Sequence, residues 1–165
     1  MASTRQLKSR VKSVKGTRQI TKAMQLVAAS KMRRAQDVAN QVQLYSDAAR
    51  ELLTHLRSLP DTQNHYLFTT RPIKARLIVL ITSDKGLAGA YNANVLKKYT
   101  ELLRADQKAG IKTQTLCIGR KASQYVRRIK DVEVIGVYEG FPERPSDNDL
   151  QPIITTLLAA FTDET

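Results

Sequence analysis

Counting toward the N-terminus from Leu59 in steps of three and four meets Leu56, Leu52, Ala49, Tyr45, Val42, Val38, Ala35, then Ala28 and Met24. This alternation is the seam of a coiled coil. Between Thr17 and Leu59 there is neither Gly nor Pro, and the strong helix formers Ala, Gln, Leu, Lys and Arg dominate. The pattern predicts a single helix over Ser3–Ser58, stopped by Pro60 and about 84 Å long at 1.5 Å per residue. Ser3 or Thr4 caps its start, without a Glu three residues on to complete a capping box. Gly16 is a soft spot costing about 1 kcal/mol relative to Ala. Upstream of Met24 the seam weakens, with Thr21, Thr17 and Arg10 at its places. Ala28, Ala35 and Ala49 permit close approach of a second helix, yet no other segment of the chain is long enough to provide one.

Beyond Leu59 the period changes. Asp61-Thr62-Gln63-Asn64 reads as loop, and Arg76 to Ser83 holds a continuous aliphatic run, as in a strand buried on both faces. A helix follows from about Asn92 to Ala109, ended by Gly110, then a strand over Thr113–Ile118 and a short helix over Lys121–Ile129. Val132–Tyr138 reads as a third strand, Glu139–Asp147 as loop and Asp149–Phe161 as a last helix. The order βαβαβα implies a parallel sheet with right-handed crossovers. The expected fold class is α/β: a long N-terminal coiled-coil helix plus an incomplete Rossmann-like parallel sheet. The expected domains are a shaft helix at 1–59, a linker loop at 60–75 and an α/β domain at 76–165.

Charge sharpens this division. The 165 residues carry 27 Lys and Arg against 15 Asp and Glu, a formal charge of +12. Ten of those cations precede the first acid, Asp37: Arg5, Lys8, Arg10, Lys12, Lys15, Arg18, Lys22, Lys31, Arg33 and Arg34. At about 100° per residue, eight of the ten fall within an arc of about 160°. A one-sign face of this kind implies an acidic partner. A basic leucine zipper binding nucleic acid is the rival reading. It lacks aromatics for base stacking in the first 44 residues and gives the α/β domain no role. The longest purely aliphatic run, Leu77–Ile81, is too short for a membrane span. The basic N-terminus has no apolar stretch of the secretory type. One cysteine, Cys117, excludes an intrachain disulfide.

Catalysis finds no foothold. The turn Ser83-Asp84-Lys85-Gly86-Leu87-Ala88-Gly89 lies where a phosphate loop would, but makes neither G-x-G-x-x-G nor a P-loop. His55 and His65 have no metal-ligand spacing to other donors, and Cys117 reads as packing in a buried strand. Asp131 and Glu133 share one strand face with nothing to position a substrate, and Asp147 or Asp149 caps the last helix. No cofactor, no metal and no small-molecule substrate is expected.

The stretch from Lys8 to Gln36, KSRVKSVKGTRQITKAMQLVAASKMRRAQ, resembles the N-terminal helix of the gamma subunit of F-type ATP synthase. Thr82 to Asn92, TSDKGLAGAYN, is similar to that family's loop after its first strand, and Ile118-Gly-Arg-Lys121 resembles a third, shorter motif. Gly16 replaces a polar, helix-friendly residue of the family, and Ala88 and Ala90-Tyr91 replace the commoner Cys and Gly-Leu. The resemblance implies a non-catalytic central-stalk rotor that couples ion-driven rotation to ATP synthesis or hydrolysis on beta subunits. It implies a C-terminal gamma helix, absent from this sequence, as the partner of the seam, and thus a fragment that self-associates or stays partly unfolded alone. It further implies contacts with the alpha and beta subunits of an α3β3 hexamer, the epsilon subunit and the c-ring. By motif position, Lys22, Lys31, Arg33 and Arg34 would face acidic loops of the beta subunits. Met24 and Val27 would lie near the sleeve or the coiled-coil core. The implied location is peripheral, on the cytoplasmic face of a bacterial membrane, with the thylakoid as the alternative.

Overall fold

The computed structural model describes residues 3–62, 65–69, 72–142 and 144–162. Gln63 and Asn64 of the expected loop, and parts of the expected linker and domain termini, lie outside the described residues. The chain falls into two compact units, Met1–Thr69 and Thr70–Thr165.

The first unit is one α-helix, α1 (Thr4–Ser58), followed by a single 3-10 turn at Pro60–Thr62. It runs unbroken through Gly16, where the strong helix formers on either side outweigh the local cost. At 55 residues it is about 82 Å long. Its start corrects the sequence reading. Ser3 is the N-cap, and Gln6 supplies the returning acceptor in place of a Glu, its Oε1 taking the Ser3 N–H at 3.3 Å. At the other end the Leu59 N–H bonds the Leu56 carbonyl, and the Thr62 N–H bonds that of Leu59.

The second unit is α/β. Strands β1 (Ala75–Ile81), β2 (Lys112–Ile118) and β3 (Glu133–Tyr138) form a parallel sheet in the order β1-β2-β3. They are joined by α2 (Tyr91–Ala109) and α3 (Arg120–Val126), and α4 (Asp147–Thr162) follows β3. Gly110 ends α2 as expected: at φ 68° it takes the left-handed conformation a side chain resists, and its N–H reaches the Asp106 and Gln107 carbonyls. Ser146 caps α4, with Asp149 Oδ2 accepting both its N–H and its hydroxyl at 2.7 Å.

The main core cluster lies on one face of the sheet, and Leu116, which points to the other, is also fully buried. Leu80 and Cys117 from the sheet pack with Tyr99 of α2 and Ala122 and Val126 of α3. Tyr99 buries its hydroxyl by sharing a 2.8 Å bond with Thr115 Oγ1. Side-chain alternation puts Tyr138 on the opposite face, where its hydroxyl meets Pro152 and Thr156 of α4. The expectation that β1 is buried on both faces is therefore corrected. Its Leu80 is buried, but Val79 is 37% and Ile81 54% exposed, because α4 packs on β3 and leaves that face of β1 open. Asp131 is also corrected: it precedes β3 in a left-handed turn at φ 62°, rather than sharing a strand face with Glu133. Glu133 instead pairs with Lys112 Nζ at 2.9 Å and accepts from Gln114 at 3.1 Å.

Candidate functional site

Two surfaces hold the residues singled out from sequence. The first is α1, in which no residue is buried. An uninterrupted helix converts the spacing into geometry. At about 100° per residue, Lys22, Arg33 and Arg34 fall within an arc of about 120°, facing away from Met24, Ala28 and Ala35. Lys31 stands at the border of the two sets: it lies about 160° from Arg33 and about 60° from Arg34, and within about 60° of Met24, Ala28 and Ala35. All four cations are exposed.

The seam presents large apolar side chains to solvent, with Tyr45 78% and Leu52 59% exposed, while Ala49 and Leu56 are half-buried. Its apparent weakening upstream is smaller than the residue types suggest. The Thr17 hydroxyl donates to the Ser13 carbonyl at 3.1 Å and the Thr21 hydroxyl to the Thr17 carbonyl at 3.0 Å. Both hydroxyls are satisfied within the helix, so these places no longer require an external polar partner. Sequence reasoning also missed Leu7 and Val14, exposed apolar residues that continue the steps of three and four beyond Thr17 and Arg10, and Val11, exposed one residue beside Arg10. Their signal was present in the spacing but was hidden by the cations between them. Along the last turns Asp47 and Arg50 form an i,i+3 pair at 4.0 Å on the solvated surface.

The second surface is the carboxyl end of the sheet, where an α/β unit ordinarily binds ligands. Here the chain's own groups occupy it. The Asp84 carboxylate accepts the Arg120 N–H at 2.9 Å and the Gly140 N–H at 3.1 Å. These two bonds, first Arg120 and then Gly140, hold its pKa below the usual carboxylate value. The Thr82 hydroxyl accepts the Ala122 N–H at 2.7 Å, and Ser83 and Asn92 exchange two bonds across the turn. Gly119 stands at φ 95° with its open side against the Thr82 backbone; an added Cβ would come within 2.1 Å of that carbonyl. The amides at the start of α3 that would meet a phosphate thus meet Thr82 and Asp84. This is the physical reason the turn behaves as a structural βα connection.

The remaining candidates stay apart. His65 stacks against Tyr66 at 4.5 Å, whereas His55 lies in the last turns of α1. Cys117 is fully buried, and burial pushes its thiol pKa up, away from the reactive thiolate. Among the described residues no group of three or more His, Cys, Asp and Glu is placed to hold a metal ion, and no helix is long and apolar enough to cross a membrane.

Comparison with known proteins agrees with the arrangement. A family model described as ATP synthase matches residues 3–165. The ATP synthase gamma chain of Thermosynechococcus vestitus is 35% identical over 167 residues, covering all of this chain and 53% of that one. That of Ralstonia nicotianae is 36% identical over 162 residues, covering 98% of this chain and 55% of that one. That of a Synechococcus species is 36% identical over 169 residues, covering 100% and 53%. The chain spans about half the length of these curated relatives. The match runs through α1 and the α/β unit alike, and the nucleic-acid reading, which gave the second unit no role, finds no support in it.

Proposed function

We propose that the chain, which belongs to the ATP synthase gamma-chain family, contributes a non-catalytic part of the central stalk of ATP synthase. In this reading α1 is one strand of a rotating shaft, and its seam takes up a second helix of the gamma subunit. The observation that carries it is the shape of α1 itself: 55 helical residues with none buried. A rod this long with an apolar line on one side and cations on the other is stable only inside an assembly that covers both. Lys22, Arg33 and Arg34 then meet acidic loops of the beta subunits, with Lys31 at the border of that contact. Individually weak, exchangeable ion pairs suit a shaft that must change partners as it turns. Its asymmetry biases the beta subunits differently, which is what coupling ion-driven rotation to ATP chemistry on other chains requires. The α/β unit lies outside the α3β3 hexamer, toward the epsilon subunit and the c-ring. The whole assembly is then peripheral to the membrane, on the cytoplasmic face of a bacterial cell or on a thylakoid.

Co-expression with F1 alpha and beta subunits tests this reading. The expected result is a co-purifying complex of three alpha, three beta and one copy of this chain, dissociated by salt and by replacing Lys22, Arg33 and Arg34 with Glu. Recovery of the chain free of alpha and beta at low salt would overturn it.

A further inference from the structure

The seam of α1 is regular in steps of three and four from Leu59 to Ala35, and the next steps of four, three and four reach Lys31, Ala28 and Met24. Lys31 therefore occupies a rung of the seam. On the continuous helix it lies within about 60° of Met24, Ala28 and Ala35, whereas Arg33 lies about 160° from it. A single cation among apolar rungs is a device that fixes register and partner at some cost in stability. We propose that Lys31 is the specificity-determining residue of the shaft. It selects a second helix, supplied by the other half of a gamma chain, that sets a carboxylate opposite it. The proposal rests on the pairing of the seam put forward above.

Three observations point to that occupant. Ala28 and Ala35 flank Lys31, so a second backbone approaches closely there and leaves room for the lysine stem to lie along the interface with its ammonium reaching across. The acids of α1 itself, Asp37, Asp47 and Glu51, all lie at least about 120° from Lys31 around the helix. A second copy of this helix thus brings no carboxylate to the seam, and in parallel register it sets Lys31 against Lys31. Like charges brought together in an interface are costly, so Lys31 acts against self-pairing as well as for its partner. Finally, the relatives are nearly twice as long as the matched region, which leaves ample chain for a second helix of similar length.

The test uses the whole chain and two synthetic helices with an apolar seam, identical except for Glu or Lys at the place facing Lys31. The Glu helix is expected to bind at least about tenfold more tightly than the Lys helix, with the difference abolished by Lys31→Leu and unchanged by Arg33→Leu. In sedimentation without a peptide, Lys31→Leu is expected to strengthen self-association by about tenfold, and Arg33→Leu by less than about twofold. Equal binding of both helices overturns the role of Lys31 while leaving the pairing intact. Failure of the Glu helix to bind the parent chain, together with failure of both helices to bind the Lys31→Leu chain, overturns the pairing itself, and the proposal with it.

Discussion

The Asp84 carboxylate and the Arg120 backbone N–H meet at 2.9 Å across 36 positions of sequence, at the mouth of the sheet where an α/β unit ordinarily receives a phosphate. With Gly140 on its second oxygen, Asp84 ties the turns after β1, β2 and β3 to one another. An internal anion thus stands in the place of an external one, and the unit is closed as a scaffold.

Replacing Asp84 by Ala leaves two backbone donors to water and separates the three turns. The expected loss in unfolding free energy is about 1 kcal/mol, modest because the bonds lie near solvent. The pH dependence has a definite sign. Hydrogen bonds from Arg120 first, and Gly140 next, lower the folded-state pKa of Asp84. The stabilisation is therefore fully present above the ordinary carboxylate pKa of about 4 and lost as pH falls through the lower, folded value. Urea unfolding at pH 6 and pH 3 should show the parent chain losing more stability on acidification than Asp84→Asn.

Gly119→Ala is expected to be far worse than its size suggests. The new methyl would approach the Thr82 carbonyl oxygen to 2.1 Å, in a backbone conformation at φ 95° that side chains resist. A loss on the order of 3 kcal/mol follows from strain and overpacking together. Thermal unfolding should show a lower midpoint. Gly86→Ala, where an added Cβ meets nothing within 4 Å and φ is not positive, serves as the mild control.

Asp106 gives a third prediction. It is 1% exposed at the end of α2 and is held by the Arg76 guanidinium and by the Thr113 hydroxyl at 3.1 Å. Removing Arg76 strands a buried carboxylate, so Arg76→Ala should cost about 3 kcal/mol. Asp106→Asn, which keeps an acceptor for Thr113, should cost less. Chemical denaturation of the two variants, fitted with a common slope, decides the order.

The order of elements was legible because each rests on local signals: the 3,4 seam for α1, aliphatic runs for the strands, and Gly110 for the end of α2. What was hidden depended on distant partners. Asp84 looked like a loop residue until Arg120 and Gly140 arrived beside it, and the aliphatic run of β1 looked two-faced until α4 packed over β3 and left Val79 and Ile81 exposed. Asp131 was misplaced for a local reason, a left-handed turn at a residue type that tolerates one. On α1 the cations and the seam could be read from spacing, because a helix with no buried residue keeps its own period. Lys31 is less legible because it belongs by charge with Arg33 and Arg34 and by seam register with Ala28 and Ala35.

Gly16 offers a gain. Nothing lies within 4 Å of a Cβ added there, and the backbone is already helical. Gly16→Ala should stabilise α1 by about 1 kcal/mol, through both helix propensity and a less flexible unfolded chain. Circular dichroism of the isolated chain should show higher helicity and a higher melting temperature. An unchanged spectrum would mean that the helix end near Gly16 is already frayed in solution.

The last prediction concerns how the cationic arc works. If Arg33 and Arg34 meet the beta subunits as exchangeable surface pairs, each contributes little alone, about 0.2–1 kcal/mol, and their removal adds nearly independently. Arg33→Ala and Arg34→Ala should each weaken assembly with alpha and beta subunits by no more than about fivefold, and raising salt from 0.05 to 0.5 M should reduce that difference. Reversal of both charges to Glu should weaken assembly much more, because repulsion from the acidic loops replaces attraction. A specific lock would behave otherwise: one substitution would abolish binding and salt would hardly matter. Titrating assembly against ionic strength for the two single variants and the double reversal separates a graded electrostatic collar from a keyed joint. The chemistry of α1, with its cations on solvated surface and none buried, favours the collar.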